Sequence, residues 1–173
     1  MRLRIYTIFI FLLFMLGGPS ANAEEWNYLQ KSKINWREYN EQAFLEASKK
    51  NKPLYVFIFA DWCPWCKKFE TESLETKLIR SLLSEKFIPV AINQEKQPDL
   101  SKQLGARLVP ASVLLTPKNR RIVRFYGFLT AQELSDILNK SFIRWSKGEV
   151  PEAEVPRDEF GDESTCCPLP KSN

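Results

Sequence analysis

Two cysteines, Cys63 and Cys66, stand in C-x-x-C spacing where an apolar run gives way to a polar segment. The run from Leu54 to Ala60 is apolar and aromatic throughout and reads as a buried strand. Cys63 then sits at the start of a helix, where unpaired backbone N–H groups and the helix dipole favour an anion and lower a thiol's pKa. Cys66 lies one turn further on, placed to close a disulfide with it. A strand feeding a C-x-x-C helix is the arrangement of a redox site. A zinc site would need a second pair of ligands, and the chain has no histidine. Its other cysteines are the adjacent Cys166 and Cys167 near the C-terminus. No metal ligand set and no cofactor motif are read from the sequence.

The elements that must hold these sulfurs follow from periodicity. Residues 24–35 form a polar and aromatic lead-in that the pattern does not place. Trp36, Tyr39, Ala43, Phe44 and Ala47 mark one face of a helix over 36–50, ended by Asn51-Lys52-Pro53. After the strand at 54–60 come the C-x-x-C helix over 63–73 and a further helical stretch at 77–83. A second strand at 87–92 runs parallel to the first if a helix crosses between them. A short helix over 99–104 stops at Gly105. A strand at 111–115, a tight turn at Pro117-Lys118-Asn119-Arg120 and a returning strand at 121–126 make an antiparallel hairpin. Thr130-Ala131-Gln132-Glu133 is a capping box opening the last helix, which ends near Phe142.

Both ends differ from the middle. Arg2 and Arg4, the apolar run Ile5 to Leu16, a Gly17-Gly18-Pro19 break and Ala21-Asn22-Ala23 have the layout of a secretory signal peptide over 1–23. The run is short of the ~20 residues that a spanning helix needs, so the membrane is met only through this segment if it stays uncleaved. Export places the cysteines where disulfides persist. Without Arg2 and Arg4 the formal net charge falls from +4 to +2, a balance that argues against nucleic acid as a partner. The remaining 150 residues are enough for one domain with a core of its own. From Ser146 on, four prolines, seven acids and few large apolar residues read as a flexible tail over 146–173.

Trp62-Cys63-Pro64-Trp65-Cys66-Lys67, together with Val109-Pro110 just before a strand, resembles the thioredoxin superfamily. The Lys52-Pro53 lead-in is similar to that of secreted, single-domain thioredoxin-like proteins of bacteria. The resemblance covers 36–145. It implies an α/β thioredoxin fold, with a central mixed β-sheet flanked by helices on both faces. It also implies a periplasmic or secreted monomer that exchanges disulfides with protein substrates. Cys63 is then the nucleophile and Cys66 the resolving thiol. Trp62, Pro64 and Trp65 flank the sulfurs, and Pro110 is the family's cis-proline. Val109 offers its backbone to an extended substrate segment. Proteins of this type are more often reductants than oxidants and take electrons from a membrane donor.

In one respect the chain departs from the family. Thioredoxins keep a buried Asp six residues before the first Cys, with a Lys on the next strand, and here those positions hold Phe57 and Ala91. Asp61 and Glu95 are the nearby acids that can substitute as proton acceptors, against the plainer reading of each as an exposed charge. Cys63 has no histidine to stabilise its thiolate, which leaves the helix N-terminus and Lys67 or Lys68. The Cys166-Cys167 pair can shuttle electrons to or from Cys63 and Cys66, or mask them, because a flexible linker of about 25 residues reaches roughly 25–30 Å; soft-metal capture, intermolecular cross-linking and a plain tail with no such role are the rival readings. A different class stays open: a non-catalytic binding module, or a carrier of a soft cation such as Cu(I), on the same scaffold.

Overall fold

The computed structural model describes residues 27–150, 160–161 and 163–169. The signal-peptide reading at 1–23 therefore lies outside the described residues, as does part of the tail. The elements are α1 (Tyr28–Lys31), α2 (Glu41–Lys50), β1 (Leu54–Phe59), α3 (Pro64–Phe69), a π-helical turn (Glu70–Leu74) and α4 (Lys77–Lys86). Then come β2 (Ile88–Asn93), α5 (Pro98–Gln103), β3 (Leu108–Val109), β4 (Ala111–Leu115), β5 (Arg121–Tyr126) and α6 (Ala131–Ser146). The described tail adds β6 (Phe160–Gly161), a 3-10 turn (Glu163–Thr165) and β7 (Cys167–Pro168).

A five-stranded mixed sheet, in the order β2-β1-β4-β5-β6, is flanked by helices. β1 is parallel to β2 and antiparallel to β4, and every one of its residues is buried, as its unbroken apolar sequence requires. Pro89, which has no N–H to give a ladder, is tolerated because β2 is the outer strand. Residue 37 covers that edge: Arg37 N–H donates to Pro89 C=O at 2.9 Å, and Ala91 N–H donates to Arg37 C=O at 3.1 Å.

This contact also corrects the expected helix over 36–50. Arg37 is taken up by the bridge to β2 and Trp36 Nε1 donates to Ser32 Oγ at 3.0 Å, so α2 starts only at Glu41, where the Asn40 side chain caps Ala43 N–H. The lead-in that the pattern left unplaced is anchored on Glu75, which accepts bonds from Tyr28 OH, Ser32 Oγ and Lys33 N–H. The last helix runs four residues past Phe142, to Ser146, and its capping box is complete: Glu133 accepts from Thr130 N–H at 2.8 Å and Thr130 accepts from Glu133 N–H at 3.3 Å.

Candidate functional site

α3 begins directly under the end of β1, with Cys63 as its N-cap and Pro64 in its first turn. Proline fits there because its missing N–H would have had no partner within the helix. The Cys66 backbone N–H points at Cys63 Sγ at 3.4 Å, so the helix N-terminus addresses that sulfur. The Val109–Pro110 peptide bond is cis, and the Val109 carbonyl oxygen lies 3.5 Å from Cys63 Sγ. Cys63, Cys66, Val109 and Pro110 are thus brought to one place from two distant parts of the chain.

The disulfide is not the one that C-x-x-C spacing suggests. Cys63 is bonded to Cys167, with Cα atoms 5.9 Å apart across 104 residues, while Cys66 and Cys166 remain thiols. β7 lies antiparallel against β3, with Cys167 opposite Val109 and Pro168 opposite Leu108. The stretch expected to be loose therefore has a docked segment, whereas residues 151–159 fall outside the described ones.

Below the sulfurs the environment is apolar and aromatic. Phe57, in the place where thioredoxins keep an Asp, is fully buried and stacks on Phe59 at 5.5 Å, with Phe69 at 5.8 Å and Trp36 at 6.0 Å. The buried acid is instead Glu70, one turn beyond Cys66, whose N–H donates to Cys66 C=O. Burial pushes the Cys66 thiol well above its ordinary range. A backbone hydrogen bond from Ala60 opposes this, and Glu70, Cys166 and Asp61 add to the rise. Glu70 was missed in the sequence because an acid in a helix ordinarily reads as part of its wet face. Its i, i+4 spacing from Cys66, between Phe69 and Leu74, is the signal that finds it.

The other candidates take plain positions. Trp62 is 43% exposed beside the site. Trp65 packs against Phe128, and the Lys68 ammonium lies over both rings, 5.2 Å and 4.6 Å from their centres, committed to aromatic faces. Asp61 Oδ2 accepts from Asn93 at 2.8 Å, and Glu95 accepts from the Asp61 backbone N–H at 3.0 Å. Among the described residues, no group of three or more His, Cys, Asp or Glu is arranged to hold a metal ion. Nor is any of their helices long and apolar enough to cross a membrane.

A mixed sheet of this order, a C-x-x-C helix start and a cis-proline facing it define a protein of the thioredoxin superfamily. The structure is similar to a thioredoxin from Thermus thermophilus, with a TM-score of 0.61 at 19% identity, covering 67% of this chain and 92% of that one. The Thioredox_DsbH family model, described as "Protein of unknown function, DUF255", matches residues 21–127, and the chain belongs to that family. Human spermatogenesis-associated protein 20 is 36% identical over 69 residues, which are 40% of this chain and 9% of that protein. The thiol:disulfide interchange protein DsbD of Vibrio cholerae is 25% identical over 128 residues, 71% of this chain and 21% of its own length. The chain thus spans only a small part of either relative.

Proposed function

We propose that this chain is an exported thiol:disulfide oxidoreductase that reduces disulfides in protein substrates. The single observation that carries the reading is the bond from Cys63, at the start of α3, to a cysteine on an extended segment paired with Val109. That is the geometry of the mixed disulfide through which thiol–disulfide exchange passes. The similarity to the interchange protein DsbD supports the same chemistry. The Ala21-Asn22-Ala23 cleavage pattern supports export.

In the proposed cycle the Cys63 thiolate attacks one sulfur of a substrate disulfide, and the substrate's second sulfur leaves as a thiolate. Cys66 then attacks Cys63 Sγ, closing Cys63–Cys66 and releasing the substrate as a dithiol. Glu70, buried one turn from Cys66, accepts the Cys66 proton as that attack begins. Val109 and Pro110 seat the substrate segment, and Trp62, Pro64 and Trp65 form the rim it rests on. A membrane-held dithiol donor returns the pair to its reduced form.

The equilibrium reduction potential of Cys63–Cys66, measured in a Cys166→Ser/Cys167→Ser chain, tests the direction of electron flow. A value near about −250 mV or lower is expected of a reductant; one near about −120 to −150 mV overturns that direction and makes the chain an oxidant or isomerase.

A further inference from the structure

We infer that Cys166 and Cys167 are a second redox pair: an internal substrate that carries electrons between Cys63–Cys66 and partners in solution. This rests on the reading of Cys63 and Cys66 as an exchanging pair. β7 occupies the edge of β3 beside the cis bond, in register, with its sulfur already bonded to Cys63. The docking has further anchors. Thr165 Oγ1 accepts from Phe128 N–H at 3.0 Å, and Leu169 N–H reaches Arg107 C=O at 3.5 Å. Cys63, Cys66 and Cys167 are all buried in this arrangement, whereas Cys166 is partly exposed. A partner meeting the docked form therefore meets Cys166 first. Cys166 also adds to the rise in the Cys66 thiol's pKa that burial causes.

Two internal steps leave the observed bond, and both balance without an outside reagent. In one, the Cys66 thiolate attacks Cys63 Sγ. The S–S bond to Cys167 breaks, its electron pair leaves on Cys167, and Cys167 takes up the proton that Cys66 gave up. The domain is then oxidised and the tail a dithiol. In the other, the Cys166 thiolate attacks Cys167 Sγ and expels Cys63 as the thiolate. The tail then holds the disulfide and the domain is the dithiol. A simple mask over Cys63 would need only one cysteine; the second, partly exposed on the docked tail, gives the electrons a way out.

The test uses the full chain at the two-electron-oxidised level in glutathione buffers. Exchange is quenched with acid, thiols are alkylated, and disulfides are mapped by peptide mass spectrometry alongside turnover on insulin. The expected result is three interconverting bonds: Cys63–Cys66, Cys63–Cys167 and Cys166–Cys167. Cys166→Ser should lose the third and slow insulin turnover. If Cys63–Cys66 turns over insulin equally fast in Cys166→Ser/Cys167→Ser, the relay is overturned and the proposed function stands. Faster turnover in that variant also overturns the relay, since the tail would then be a mask. Absence of any exchange in the unaltered chain overturns both.

Discussion

Val109 and Cys167 face one another across an antiparallel pair, and Val109 is also the residue whose bond to Pro110 is cis. One residue thus presents its backbone to a cysteine-bearing strand while its carbonyl oxygen lies against the sulfur of Cys63. Two main-chain strand edges held side by side allow a sulfur carried by one to meet a sulfur fixed by the other. The main chain supplies the alignment and the cysteines supply the chemistry.

Glu70 links this geometry to pH. Its carboxylate raises the Cys66 pKa, after the larger effect of burial. Glu70→Gln should therefore move the Cys66 titration to lower pH, read from the Cys66 13Cβ shift in the reduced chain. The same variant should slow release of a trapped substrate by on the order of a hundredfold at neutral pH, because a proton acceptor is lost. A lower titration with unchanged release would assign Glu70 an electrostatic role alone.

Gly105 holds the approach to β3. Its φ of +76° lies in the region that L side chains rarely adopt, and a Cβ there would clash with Arg124 Nη1. Arg124 is itself buried and donates to Leu104 C=O at 3.1 Å, so its guanidinium has little room to yield. Gly105→Ala should cost at least about 1–2 kcal/mol from backbone handedness alone. Urea unfolding of the reduced chain measures it; an unchanged midpoint would mean that the turn rearranges freely.

The parts of the fold set by local pattern were legible in the sequence. β4 and β5 fall at 111–115 and 121–126 as the apolar runs and the Pro117 turn indicate, and Thr130 with Glu133 marks the start of α6. The motif at Cys63 and Cys66 was equally plain. What escaped depends on tertiary contact. Trp36 fits the helical spacing, but its neighbour Arg37 is drawn off by the edge of β2. Glu70 looks solvated until the π-helical turn and its apolar neighbours bury it. β7 is two residues long with a proline in it, so no periodicity can announce it; its place is set by Val109 and Cys63, far away in the chain.

The most direct test of Cys63 as the attacking sulfur of the domain is single-turnover exchange with a protein disulfide, compared among the Cys166→Ser/Cys167→Ser chain and that chain carrying in addition Cys63→Ser or Cys66→Ser. Cys63→Ser should abolish exchange, and Cys66→Ser should accumulate a mixed disulfide between Cys63 and the substrate, visible as a mass increase lost on reduction. Full exchange by Cys63→Ser in that background would contradict this, and would move the attacking sulfur to Cys66.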